Sequence, residues 1–192
     1  MTVDSARTPP QLAAIGAAAE KLGFLMSCDF PTGALLRTLA ASKPGGRLLE
    51  LGTGAGMSTS WILSGMTPSS TLVTVDNDVE LVHTAESILG DDARVTFVTA
   101  DAANYLTGAQ GETFDLIFAD TWAGKFEQLD EALALLAPGG LYVVDDLDPQ
   151  PQWPDGHAPK VPVFRERLNA VPWLAVTRLD WSTGLMIAAR LS

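Results

Sequence analysis

Apolar and polar positions fall into two alternating kinds of stretch along this chain. Arg47–Leu51, Thr71–Val75, Val95–Thr99, Phe114–Ala119 and Leu141–Val144 are short apolar runs bounded by Gly, Asp or Asn. Between them, Ser58–Leu63, Val79–Leu89, Ala102–Leu106 and Phe126–Leu136 are amphipathic at helical spacing. Continuously apolar strands separated by helices imply a parallel sheet covered on both faces. Ahead of the first strand the pattern predicts amino-terminal helices within about residues 9–41, one over Leu12–Ala19 and one over Gly33–Ala41. Beyond the fifth strand the rhythm breaks. Asp148 to Pro162 holds five prolines and no apolar period, which predicts a loop. A short helix, Val163–Val171, and two further strands, Leu174–Leu179 and Leu185–Arg190, would finish the sheet as an antiparallel pair. The expected fold is α/β: a doubly wound, Rossmann-like, seven-stranded sheet, mostly parallel with an antiparallel last strand, forming one domain over residues 1–192.

Composition narrows the function. Of 192 residues, 47% are apolar and 18% charged, a globular balance. Twenty-three acidic against twelve basic residues give a net charge of −11, with no dense Lys/Arg cluster, so nucleic acid is not an expected partner. The sole cysteine, Cys28, has no partner for an internal disulfide, which makes the cytoplasm the default location and a buried thiol its expected state. No basic segment followed by an apolar run opens the chain, and no stretch reaches membrane-spanning length; neither a signal peptide nor a membrane span is expected.

Chemistry gathers where strands end, because right-handed crossovers place those ends along one rim. Leu48 to Gly56 reads as a strand running into a turn at Gly52, Gly54 and Gly56, where glycine permits positive φ and close ligand approach. The next strand ends in Asp76, twenty residues after Gly56, where a carboxylate can accept both hydroxyls of a ribose. A dinucleotide fingerprint would carry a third glycine at Met57, so a pyrophosphate site matches imperfectly. Asp120, Asp145 and Asp146 follow the fourth and fifth strands. Ends of neighbouring parallel strands lie roughly 5 Å apart, so these carboxylates would converge and share a cation or a proton. Oxygen-only ligands favour Mg²⁺, Ca²⁺ or Mn²⁺, and such an ion would lower the pKa of an acceptor hydroxyl. Helix caps and turn closure are the structural alternatives for all of these aspartates.

The ordered motifs Glu50-Leu51-Gly52-Thr53-Gly54-Ala55-Gly56, Thr74-Val75-Asp76, Thr99-Ala100-Asp101-Ala102, Phe114 to Asp120 and Pro138 to Asp146 resemble those of the class I S-adenosylmethionine-dependent methyltransferases. Within them the chain is most similar to the small O-methyltransferases of the catechol and caffeoyl-CoA type. The resemblance implies S-adenosylmethionine as cofactor. Glu50, Gly52, Thr53, Gly54, Gly56 and Ser58 would surround its methionine and ribose portion, Asp76 and Asn77 its ribose, and Asp101 and Ala102 its adenine edge, with Asp120 beside it. It also implies a divalent cation, in practice Mg²⁺, on Asp120, Asp145 and Asp146, the last standing where the family usually has Asn.

One departure concerns the base. Metal-dependent members place a lysine three residues after the first metal aspartate, and here that position is Ala123. Lys125, two residues on, and His157, in the proline-rich loop, are the candidate catalytic groups. For Lys125 the alternative is a solvated place on the following helix, and for His157 an exposed loop position. Trp122 and Trp153 could stack a flat acceptor. The expected reaction is methyl transfer to a hydroxyl of a small, aromatic or polyhydroxylated acceptor. Metal-independent O- or N-methylation and a non-catalytic cofactor-binding or dimerising protein are its rivals. The apolar amino-terminal helices would serve a homodimer.

Overall fold

The computed structural model describes residues 8–191. Residues 1–7 and 192, and with them the outer ends of the expected domain and the start of the segment read for a leader, lie outside the described residues.

Two helices, α1 (Leu12–Lys21) and α2 (Phe30–Ala41), precede β1 (Arg47–Leu51), α3 (Met57–Gly65), β2 (Thr71–Asp76), α4 (Val79–Leu89), β3 (Val95–Thr99) and α5 (Ala102–Gly108). The chain continues through β4 (Phe114–Ala119), α6 (Leu129–Ala134), β5 (Leu136–Val144), α7 (His157–Asn169), β6 (Leu174–Leu179) and β7 (Leu185–Arg190). The seven strands form one sheet in the order β3-β2-β1-β4-β5-β7-β6. Strands β1 to β5 pair in parallel, and β7 runs antiparallel to both β5 and β6. The chain therefore reverses its direction of growth between β1 and β4. A crevice opens at such a switch point, outside the carboxyl ends of the two strands.

Alternate side chains of the central strands enter two cores, which explains their unbroken apolar character. Leu49, Leu51, Ile117 and Val144 pack with α5, α6 and α7, whereas Leu48, Leu72, Phe118 and Val143 pack with α1 to α4. Helices α2 and α3 come so close that a Cβ on Gly33 would stand 2.2 Å from the Trp61 ring, and one on Gly65 2.1 Å from the Arg37 carbonyl.

All seven expected strands are present, while four starts differ from expectation by three residues or more: those of α2, β5 and α7, and that of α6, which begins at Leu129 and not at Phe126. Helix α2 starts at Phe30 because the Asp29 carboxylate caps it, accepting from the Thr32 N–H at 2.9 Å. Strand β5 begins at Leu136 and absorbs Pro138-Gly139-Gly140, at the cost of a register shift against β4. Helix α7 begins at His157, inside the segment expected to be a loop. Pro159 lies in its first turn, where no intrahelical N–H bond is lost, while Pro162 gives up one bond inside the helix. Val161, Phe164 and Leu168 compensate by burying one face. No helix among the described residues is long and apolar enough to cross a membrane.

Candidate functional site

A cavity of about 390 Å³ occupies the switch-point crevice. Its floor is the glycine loop. Gly52 has φ +106°, and a Cβ there would meet Thr121 Cγ2 at 3.0 Å and the Asp120 carbonyl oxygen at 3.2 Å. The backbone of β1 thus lies against that of β4 with no room for a side chain. Gly54 (φ +50°) lies under the Phe24 ring, and its N–H donates to Asp76 Oδ2 at 2.9 Å. Asp76 also accepts from the Asp78 N–H at 3.1 Å, so the loop and the β2 end brace each other.

Beneath the loop sits Glu50, 0% exposed. Thr59 Oγ1 and Thr74 Oγ1 donate to its Oε2 at 2.5 and 2.6 Å, Thr53 Oγ1 lies 2.7 Å from Thr74 Oγ1, and Oε1 has no partner. Burial pushes its carboxyl up to about 7, against the lowering effect of the Ser58, Thr59 and Thr74 hydroxyls. Thr53, Ser58, Asp76 and Asn77 border the cavity together with Gly52 and Gly54, whereas Gly56 and Glu50 do not. Asp101 does not; it is exposed and caps α5, accepting from the Asn104 N–H at 2.9 Å, with Ala102 buried behind it.

The wall of the crevice opposite the glycine loop is built by the turn after β4. Gly124 (φ +81°) has space for nothing larger, since a Cβ would meet Leu51 Cδ1 at 2.7 Å, and the Tyr142 hydroxyl donates to its carbonyl. With the N–H groups of residues 125–127 all turned to the Trp122 carbonyl, the turn drives Lys125 inward. Lys125 is 1% exposed, not a solvated helix residue, and α6 starts only at Leu129. Its Nζ stands 4.0 Å from Asp120 Oδ1. That oxygen is buried and has no hydrogen-bond partner among the described residues. Burial, together with Asp145 and Asp146, raises the Asp120 carboxyl well above its ordinary value, and Lys125 opposes the rise.

His157 is likewise buried, 3% exposed, and not a surface loop residue. It opens α7 behind Gly156, with its ring stacked on Trp153 at 4.3 Å and edge-on to Phe126 at 4.8 Å. Nε2 lies 2.9 Å from the Asp146 carbonyl oxygen, which can only accept, so Nε2 carries the proton and Nδ1 is left as an unpartnered base. Burial lowers the imidazole's pKa, the Asp146 carbonyl bond raises it, and Lys125 lowers it further. Lys125, His157, Asp120, Asp146 and Trp122 all border the main cavity. Trp153 borders a second one of about 280 Å³, which shares Asp120, Asp146 and Cys28 with the first.

Adjacent β4 and β5 do bring Asp120, Asp145 and Asp146 to one rim. Among the described residues, though, no three metal-ligating side chains form a group that could hold an ion. Asp145, 3% exposed, is turned toward the terminal hairpin, accepting from Thr183 Oγ1 and from the Asp146 N–H. Asp146 sits in the left-handed region (φ 62°), and an ammonium already faces Asp120. The expected Mg²⁺ ligand set does not fit this arrangement.

Sequence reading missed the strap between α1 and α2. Phe24, Met26, Ser27 and Cys28 border the main cavity, and the Cys28 thiol is pushed well up by burial and by Asp145 and Asp120. Neither period nor motif marks this segment; Phe24 stands out only as an isolated aromatic after a glycine.

Comparison with known proteins agrees with this geometry. The profile of the methyltransferase domain family matches residues 49–147, from β1 through the aspartates after β5. A Mycobacterium avium protein provisionally named an O-methyltransferase is 36% identical over 119 residues, 58% of this chain and 53% of that protein. The chain thus spans about half the length of the curated relatives it matches. A Klebsiella pneumoniae structure with the same provisional name superposes with a TM-score of 0.82 at 26% identity, covering 100% of this chain and 92% of the other. An O-methyltransferase of tomaymycin synthesis from Streptomyces achromogenes, solved with S-adenosylmethionine, shares the fold at 24% identity, with a TM-score of 0.82 and the same coverage. With its profile match running through the strands and loops that build the crevice, the chain belongs to the methyltransferase domain family.

Proposed function

We propose that this protein transfers a methyl group from S-adenosylmethionine to a hydroxyl oxygen of a small acceptor. The observation that carries the reading is the pair of cavities meeting over Asp120, one floored by the glycine loop, the other walled by Trp153. Gly52, Gly54, Asp76 and Asn77 would hold the cofactor, with the side-chain-free loop leaving room for it and the Asp76 carboxylate free to accept further hydrogen bonds. Bound there, S-adenosylmethionine supplies a methyl group on a sulfonium, whose loss leaves a neutral sulfide. Little leaving-group stabilisation is needed, so the protein's work is orientation and exclusion of water. Trp122 and Trp153 would present flat faces to an aromatic acceptor. His157, stacked under Trp153 and tied to the Asp146 carbonyl, would hold that wall in place.

Calorimetric titration with S-adenosylhomocysteine, followed by mass-spectrometric assay of a polyphenol panel, tests this. Saturable binding and a mass gain of one methyl group on a hydroxyl are expected; lack of binding sinks the reading. Leu25 and Met26, exposed between α1 and α2, and Phe30, exposed at the start of α2, would offer a surface for a homodimer, which analytical ultracentrifugation would detect.

A further inference from the structure

Lys125 and Asp120 form a buried pair that is only half satisfied. Lys125 is 1% exposed, and the distance from its Nζ to Asp120 Oδ1, 4.0 Å, is too long for a hydrogen bond. Asp120 Oδ1 accepts from nothing else among the described residues. Both side chains border the same cavity. An atom placed about 2.8 Å from each could bridge them, because 4.0 Å is less than twice that contact, once the groups that shield Oδ1 from solvent give way. It would have to accept a hydrogen bond from an ammonium and donate one to a carboxylate. A hydroxyl does both, whereas a protonated amine has no lone pair for Lys125.

We propose that Lys125 Nζ and Asp120 Oδ1 clamp the acceptor hydroxyl between them and so replace the divalent cation in this chain. This rests on the methyl-transfer reading above and specifies its acceptor side. During transfer the hydroxyl O–H bond breaks and its proton passes to Asp120 Oδ1. The oxygen forms the new O–CH₃ bond while the S–CH₃ bond breaks, and that electron pair stays on sulfur, turning the sulfonium into a neutral sulfide. Lys125 keeps its protons and holds the oxygen's developing charge from a fixed, water-poor position, a role in which loss of one donor costs about 10²–10³ in rate. The turn that positions it is locked by Gly124 and the Tyr142 hydroxyl, so the donor is held before the acceptor arrives.

The test uses the full chain, catechol and a polyphenol panel as probes, and Mn²⁺ as the metal probe. Turnover unchanged by a chelator, no stoichiometric Mn²⁺ site by electron paramagnetic resonance, and a kcat about 100-fold lower in Lys125→Met with unchanged S-adenosylhomocysteine affinity are expected. Asp120→Asn, which keeps the side chain's shape, should lower kcat as strongly and serves if Lys125→Met fails to fold. Chelator-sensitive turnover restored by Mg²⁺, a stoichiometric Mn²⁺ site, either folded variant within threefold of the parent, or cofactor binding without methylation of any hydroxyl probe would each overturn the clamp. Failure to bind S-adenosylhomocysteine at all would instead remove the methyl-transfer reading beneath it.

Discussion

The two halves of the crevice are made differently. On the β1–β2 side the ligand surface is mostly backbone: a glycine loop, the start of a helix, and a carboxylate braced on the loop's own N–H. Its parts lie within about thirty residues of one another. On the β4–β5 side the surface is side chains gathered from far apart: Lys125 from a turn, His157 from α7, Cys28 from the strap and Thr183 from the terminal hairpin. The first half can hold one kind of ligand in many proteins, since backbone geometry depends little on neighbours. The second half changes its chemistry whenever one distant side chain changes.

The largest effect expected on this contrast is on the backbone side, at Glu50. Its carboxyl binds a proton more tightly folded (about 7) than unfolded, so stability is fullest below the unfolded value, near 4.5, and falls as pH rises toward 7. Glu50→Gln has nothing to ionise, so urea melts should show it gaining on the parent across that window, by about 3 kcal/mol at the alkaline end. Equal slopes for the two proteins would show that the half resting on Glu50 is not electrostatically loaded. Next, Gly52→Ala puts a Cβ at φ +106° against the Asp120 backbone. About 2 kcal/mol of strain should appear as a roughly 30-fold loss of S-adenosylhomocysteine affinity by calorimetry; an unchanged affinity would mean the loop has slack.

Two smaller effects sharpen the acceptor side. Trp153→Ala removes the ring stacked on His157 and should raise the acceptor KM roughly fivefold, in line with about 1 kcal/mol for an aromatic contact, while cofactor affinity stays the same. A parallel loss of cofactor affinity would show the halves to be coupled. Lys160→Ala breaks an ion pair to Glu127 (3.7 Å) and a contact 4.6 Å over Trp122. Both are partly solvated, so thermal denaturation should register less than about 1 kcal/mol.

The same contrast governs what could be read without coordinates. Strands β1 to β4 were legible to within a residue because each is a short, largely apolar run between turn residues, most buried in β1 and β4 and least in the edge strand β3, and Gly52 to Gly56 with Asp76 was legible because local geometry demands those residues. Asp101 was legible only as a strand-end aspartate, and the structure shows it capping α5. Lys125 and His157 were visible as candidates, but their burial was not: it depends on Tyr142 reaching Gly124 and on Trp153 folding over the ring, contacts with no local signature. Prolines hid the start of α7, since Pro159 and Pro162 read as breakers although a first helical turn tolerates proline. The metal expectation assumed that neighbouring strand ends suffice for convergence. They set the Cα spacing; the Asp145 carboxylate is then engaged by the Thr183 hydroxyl and the Asp146 N–H, and Asp146 leaves the strand in the left-handed region.

Asp148 closes β5's outgoing segment with more ties than its position would require. Its carboxylate takes Arg165 from α7 at 2.9 Å and Arg178 from β6 at 2.8 Å, and Gly184 lies so close that a Cβ there would stand 2.5 Å from Asp148 N. Eight residues on, Gly156 and His157 begin α7, with His157 tied back to the Asp146 carbonyl. Everything between these two anchors hangs from fixed posts, and loop closure between fixed ends grows only slowly more costly with length. The stretch 149–152 is therefore a natural cassette: its composition and length can be exchanged while Trp153 keeps its place on His157 and the frame stays standing.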